Sequence, residues 1–296
     1  MTVRIELVVP GPLEQRTGGY IYDRRIVEGL RACGRQVRVH ELAGPFPIVD
    51  EIAITAARTA LETMPAKSVP VIDGLALPAF ADLPLPRPWV ALVHHPLALE
   101  TGLSAAEADG LAAVERRTLV TASRVIVTSP QTRGDLAGYD IEAARVGVVL
   151  PGTDPAPVAR GSGGPGLALL CVASLIPRKG HAVLLEALAG LRELPWRLAC
   201  VGSAERGPTA AEAIRTAIAS LRLDDRVRLI GEQTEAGLQP FYDAADLFVL
   251  ASHHEGYGMV LAEALARGLP IVSTTAGAIP DTVPAAAGIL VPPGDP

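Results

Sequence analysis

Short strand candidates rich in apolar residues lie at positions 4–10, 36–40, 69–73, 89–94, 124–128 and 145–150, with longer amphipathic stretches such as 52–63 and 105–121 between them. Unbroken apolar runs suit strands covered on both sheet faces, and apolar positions recurring every three or four residues suit helices with one buried face. After Thr17-Gly18-Gly19 a helix repeats its apolar side at Tyr22, Ile26 and Leu30, placing Asp23, Arg24, Arg25 and Glu28 largely on other faces. The second half restarts the alternation, with strands at 167–173, 196–202, 226–231, 247–251, 270–274 and 288–291. Helices are expected near 181–192, 209–221 and 238–244, and one more carries Glu263. The pattern predicts an α/β chain of two Rossmann-like, doubly wound parallel-sheet domains facing one another. The Pro- and Gly-rich stretch between them sustains neither helix nor central strand. It divides the chain into an N-terminal domain 1–155, a linker 156–166 and a C-terminal domain 167–296, with a hinge that would let the domains close on substrate.

Candidate chemistry concentrates after the strand at 247–251. There His253-His254-Glu255-Gly256-Tyr257-Gly258-Met259 leads into the helix that contains Glu263. Gly256 and Gly258 let backbone approach a ligand closely, and the start of a helix offers unpaired N–H groups to a phosphate. Glu255 precedes the helix and Glu263 lies inside it, so the two would flank a bound diphosphate and accept hydrogen bonds from vicinal hydroxyls, one set on a sugar and one on a ribose. That ligand is a nucleotide sugar.

The stretch resembles the Glu-x7-Glu motif of retaining glycosyltransferases of family 4, including the Gly-aromatic-Gly after the first glutamate. The resemblance implies the GT-B fold, with the two domains facing across a cleft. It assigns Glu255 to the donor sugar and Glu263 to the nucleotide ribose, with Gly256, Tyr257, Gly258 and Met259 between them at the donor. Other segments add to it. Gly18 and Gly19 resemble the glycine-rich loop that approaches the donor phosphate. Arg178 and Lys179, after the strand at 167–173, resemble the cations that contact the diphosphate, and as adjacent charges at a strand end they would stabilise it as it leaves. His94, where the strand at 89–94 ends, matches a histidine near donor sugar and acceptor, and with Glu255 it is the expected catalytic residue. The family continues past the segment 288–296 with further helices, so the C-terminal domain reads as shortened relative to it.

Composition narrows the class. The 296 residues carry a net charge of -6 without a basic stripe, which argues against nucleic acid as the main partner. Cys33, Cys171 and Cys200 are odd in number and widely spaced, the pattern of reduced, buried thiols in a cytosolic protein. No apolar run reaches the roughly 18–20 residues of a membrane span, and no basic amphipathic helix marks a membrane surface, although peripheral contact with the inner face of the membrane stays open. Adjacent histidines on an extended chain point apart, so no metal is expected at His94 and His95. The expected reaction is transfer of a sugar, with retention and without metal or cofactor, from a UDP- or GDP-linked donor to an acceptor hydroxyl on a glycan, lipid or small metabolite. A nucleotide-sugar epimerase of the same fold is one alternative, and a non-catalytic nucleotide-sugar or glycan-binding protein is another.

Overall fold

The computed structural model describes residues 3–86 and 88–296, and the chain divides into two compact units, Met1–Pro151 and Gly152–Pro296. The first contains β1 (Arg4–Pro10), α1 (Gly18–Ala32), β2 (Gln36–Leu42), α2 (Glu51–Thr63), β3 (Val69–Asp73), β4 (Val90–Val93), α3 (Ala105–Leu119), β5 (Arg124–Val127), α4 (Pro130–Asp135) and β6 (Val146–Val148). Its six strands are all parallel in the order β2-β1-β3-β4-β5-β6. β1 shows why the run from Leu7 to Val9 is apolar. Leu7 and Val9 pack with Tyr20 and Val27 of α1 on one face, while Val8 packs with Ala53, Ala57 and Ile72 on the other. Helix starts follow the sequence closely: Asp50 caps α2, and Ser104 with Glu107 forms a reciprocal capping box on α3.

The second unit contains β7 (Leu167–Val172), α5 (His181–Ala189), β8 (Trp196–Val201), α6 (Pro208–Ser220), β9 (Val227–Gly231), α7 (Glu235–Asp243), β10 (Leu247–Leu250), α8 (Met259–Ala266), β11 (Ile271–Thr274), α9 (Ile279–Thr282) and β12 (Gly288–Val291). Its parallel strands run β12-β11-β10-β7-β8-β9. Read from β9, this is the Rossmann order, with its topological switch between β7 and β10, where ligands bind outside the carboxyl ends of the strands. One apolar core, centred on Leu170, Leu185, Leu198, Phe248 and Leu250, holds the unit together.

Three expectations change. Residues 156–166 have neither helix nor strand, yet they are tied to the second unit: the Ala159 N–H donates to the Arg267 carbonyl (2.9 Å), and Asp246 accepts from the Ser162 N–H (2.9 Å), the Ser162 hydroxyl (2.7 Å) and the Ala168 N–H (2.8 Å). Cys33 is exposed, unlike the buried Cys171 and Cys200, because it caps the C-terminus of α1 beyond the helix's packed face. Asp23, expected on the polar side of α1, is buried with Tyr20, Tyr22 and Val27. His94 draws it inward, as described below.

Candidate active site

In the second unit the functional side chains come from the ends of the two strands at the switch point. After β7 the chain turns through Arg178 and Lys179 to Gly180, which sits at φ +64° as the N-cap of α5. A Cβ there would lie 1.9 Å from the Ala251 carbonyl oxygen, so only glycine lets the basic turn lie against the end of β10. The two loops are then joined through backbone and side chain. The His253 N–H donates to the Arg178 carbonyl (2.8 Å), and Arg178 Nη1 donates to the His254 carbonyl (2.9 Å).

Glu255 is the centre of this cluster. Its Oε1 accepts from Lys179 Nζ at 2.5 Å and from Ser252 Oγ at 2.6 Å, and its Oε2 lies 3.8 Å from Arg178 Nη1. Burial favours the neutral acid, but the Lys179 ammonium and Arg178 guanidinium outweigh it and hold the carboxyl below its usual range. Two cations, Arg178 and Lys179, thus meet the one carboxylate of Glu255 at the ends of β7 and β10. The loop behind it is fixed from both sides: the Ala278 N–H donates to the Glu255 carbonyl (2.8 Å), and the Thr282 hydroxyl donates to that of Tyr257 (2.6 Å).

Gly258, at φ +88°, is the N-cap of α8, which begins at Met259 and has no side-chain cap. The expected loop residues Gly256, Tyr257, Gly258 and Met259 therefore lead straight into an uncapped helix N-terminus, a place where backbone N–H groups favour an anion. Glu263, one turn further on, accepts from the Tyr242 hydroxyl at 2.9 Å. Arg267 lies 4.3 Å over the Tyr242 ring. Burial raises the Glu263 carboxyl above its usual range, against the opposing pull of Tyr242 and Arg267. Ser252, Tyr242 and Arg267 are the members of this cluster that sequence reasoning missed. Tyr242 lies 21 residues from Glu263 and comes from a different helix, so no local spacing marks it.

A cavity of about 610 Å³ in this unit lies elsewhere. Leu184, Leu188, Trp196, Leu247 and Val272 line it, without Arg178, Lys179 or Glu255. Its walls are apolar, and it offers nothing to a diphosphate.

In the first unit, the Gly18–Gly19 start of α1, the end of β3 and the end of β4 meet. A Cβ on Gly19 would lie 3.2 Å from His94 Cδ2, so the glycine seats the helix against the imidazole. His94 Nε2 is 3.2 Å from Asp23 Oδ1 and 3.2 Å from Asp73 Oδ2, and Tyr22 meets its ring edge-on at 5.4 Å. Asp73 is fixed by its other oxygen, which accepts from the Leu75 N–H at 2.7 Å. The imidazole is partly exposed while both carboxylates are buried. These three ligand atoms lie within 4.8 Å of one another, an arrangement that the reading of His94 and His95 as an isolated pair did not anticipate. Signals for it were present: Asp73 closes a strand, and Asp23 falls four residues after Gly19, on the same helix face.

Residues 166–296 match the family model described as Glycosyl transferases group 1. That match makes this part of the chain similar to the group 1 glycosyltransferases. The D-inositol 3-phosphate glycosyltransferase of Salinispora tropica is 31% identical over 207 residues, covering 62% of this chain and 43% of the relative. That of Kineococcus radiotolerans is 32% identical over 216 residues, covering 64% and 50%. The chain thus spans about half the length of the curated relatives it matches. Among solved structures, sucrose-phosphate synthase from Thermosynechococcus elongatus superposes with a TM-score of 0.84 at 23% identity, over 99% of this chain and 86% of that one. Anabaena Alr3699/HepE in complex with UDP-glucose gives 0.73 at 20% identity, over 99% and 86%. These likenesses establish the fold, two six-stranded parallel α/β domains of the GT-B type. Among the described residues, no helix is long and apolar enough to cross a membrane.

Proposed function

We propose that the chain transfers a sugar from a nucleoside diphosphate sugar to an acceptor hydroxyl, with retention at the anomeric carbon and without a metal. The observation that carries this reading is the cluster at the β7/β10 switch point, where Arg178, Lys179 and the uncapped start of α8 surround Glu255. A departing diphosphate gains negative charge in the transition state, and fixed cations with oriented N–H groups stabilise that charge more than they stabilise the bound donor. Glu255 would orient sugar hydroxyls, Glu263 would accept from the ribose hydroxyls, and His94 with the Gly18–Gly19 helix start would meet donor sugar or acceptor. The Anabaena complex with UDP-glucose and the inositol phosphate relatives support a uridine donor and a small phosphorylated polyol as the first acceptor to try.

The test is incubation of UDP-, GDP- and ADP-glucose with a panel of inositol phosphates and hexose phosphates, followed by NMR of the product. A product with the donor's anomeric configuration supports the reading, and inversion contradicts the retaining assignment. Conversion of the donor to an isomer with no acceptor present would instead favour an epimerase.

A further inference from the structure

We infer that Glu115, with Tyr139, is a positioning residue for the acceptor side of the site: it caps, from a distant helix, the turn that leaves His94, and so sets where His95 and Glu100 stand. The inference deepens the proposed function and, in its kinetic part, rests on it. β4 is followed by His94, His95 and Pro96, and then by a 3-10 turn, Leu97–Leu99. Such a turn leaves its first N–H groups without backbone acceptors. Inside this one the Leu99 N–H donates to the Pro96 carbonyl (3.1 Å) and the Glu100 N–H to that of Leu97 (3.2 Å), so the Leu97 and Ala98 N–H groups need partners from elsewhere. The residue at the N-cap is Pro96, which has no side-chain acceptor to offer.

Glu115 supplies the acceptor. It lies in the last turns of α3 and is completely buried. Its Oε2 accepts from the Leu97 N–H at 2.9 Å and from the Tyr139 hydroxyl at 3.2 Å, and the Ala98 N–H adds a further bond. Its Oε1 has no hydrogen-bond partner among the described residues. A half-satisfied buried carboxyl is costly, and a leucine would fill the same space without that cost. A leucine could not hold the two N–H groups of the turn. On the other flank the Thr128 and Thr132 hydroxyls donate to the His94 carbonyl at 3.1 and 3.4 Å. The start of the segment is therefore fixed from the end of β5 and from α4, and its continuation from α3.

The segment held in this way leaves the sheet where ligands bind. The order β2-β1-β3-β4 puts the switch point of this sheet between β1 and β3, and His94 meets Gly19, which follows β1, and Asp73, which closes β3. Directly after His94, His95 Nε2 lies 3.5 Å from Glu100 Oε2, and both side chains are partly exposed. A polar pair beside His94 can hydrogen-bond the hydroxyls of a sugar or polyol acceptor, and moving the turn moves the pair. Arg178, Lys179 and Glu255 belong to the second unit, so a displaced turn should change the use of acceptor and leave the hold on the donor diphosphate as it was.

Two readouts on the full chain test this. Hydrogen exchange of the Leu97 and Ala98 amides is followed by NMR in wild type, Glu115→Leu, Glu115→Gln and Tyr139→Phe, with the amides of β4 and β5 reporting the fold. Glu115→Leu should speed exchange at the two amides by about tenfold or more, the scale of one hydrogen bond to a charged group. Glu115→Gln keeps an acceptor oxygen and should speed it far less, Tyr139→Phe should fall between, and β4 and β5 should not change. Equal protection in wild type and Glu115→Leu overturns the inference. The second readout is kcat and KM with UDP-glucose as donor and D-inositol 3-phosphate or glucose 6-phosphate as acceptor. Glu115→Leu should raise the acceptor KM by about tenfold and the donor KM by less than about twofold, with Glu115→Gln recovering most of the loss. Faster exchange with an unchanged acceptor KM, or equal losses for donor and acceptor, would make Glu115 a purely structural residue and overturn the inference. A wild type that transfers sugar to neither acceptor overturns the function reading and the acceptor role with it, and the exchange result alone then decides whether Glu115 holds the turn.

Discussion

Lys179 Nζ lies 2.5 Å from Glu255 Oε1, although 76 positions separate the two residues in the chain. The ion pair joins the loop after β7 to the loop after β10, with Glu255 buried and Lys179 partly buried. On the proposed function, a diphosphate arriving at this cluster would compete with Glu255 for Lys179 and Arg178, and the carboxylate would set how strongly the cations attract it.

Replacing Glu255 by Gln removes the charge and keeps the shape. Leaving two mostly buried cations without their counter-ion is expected to cost about 3 kcal/mol, seen as a lower apo melting temperature. UDP should recover more stability in this variant than in wild type, while sugar transfer is lost. The Glu255 carboxyl is depressed in the folded state, so its contribution is present above about pH 4.5 and fades as pH falls further. The melting difference between wild type and Glu255→Gln should therefore narrow below that pH. Equal melting temperatures at pH 7 would contradict the account.

Tyr242→Phe tests how Glu263 is held. The phenol is buried and donates to Glu263 at 2.9 Å, and its loss should lower stability by about 1 kcal/mol. Titration calorimetry should then show UDP affinity reduced a few-fold, because the released carboxylate no longer faces one direction. An unchanged affinity would mean that Glu263 does not need this tether.

Glu115 is buried in the first unit, where its Oε2 accepts from the Leu97 N–H (2.9 Å) and the Tyr139 hydroxyl (3.2 Å). Burial, opposed by these donors, raises the carboxyl to about 7. The folded state therefore holds a proton that the unfolded chain releases, and stability falls as pH rises from about 4.5 to about 7, by on the order of 3 kcal/mol. Glu115→Gln keeps an acceptor oxygen and should remove that slope. Denaturation at pH 5 and at pH 8 would check it, with a variant that gains relative stability only at the higher pH.

Gly180 and Gly277 have positive φ, and a Cβ on them would lie 1.9 Å from the Ala251 carbonyl oxygen and 2.3 Å from that of Glu255. Alanine at either position combines backbone strain with a backbone clash, each costing about 1–3 kcal/mol. Gly180→Ala and Gly277→Ala should lower the melting temperature far more than Gly29→Ala, where a Cβ meets nothing within 4 Å. Comparable melting of all three would refute the role given to these loops.

Much of this fold is legible along the chain. The central strands, such as β4, β7 and β10, are apolar runs because both faces are covered, and the Glu255-to-Glu263 spacing is local, so one strand-loop-helix displays it. What the sequence hides is contact between distant segments. Nothing near Lys179 announces that its charge is shared with Glu255, and nothing near His94 announces Asp23. Periodicity assigned Asp23 to the polar face of α1, yet the imidazole across from Gly19 supplies the partner that makes its burial tolerable. The segment 156–166 read as a linker because composition reports missing secondary structure, whereas Asp246 and Asp243 supply the hydrogen bonds that hold it.

The central claim is that Arg178, Lys179 and α8 hold a diphosphate while Glu263 reads the ribose. Its most direct test is calorimetric binding of UDP and 2′,3′-dideoxy-UDP, or the same pair for GDP or ADP if that base binds more tightly, to wild type, Lys179→Met and Glu263→Ala. Lys179→Met should weaken both ligands by roughly ten- to a hundredfold, the scale of a charge-assisted hydrogen bond. Glu263→Ala should weaken only the ligand that keeps its ribose hydroxyls. Equal weakening of both ligands by Glu263→Ala, or affinity indifferent to Lys179, would contradict the account.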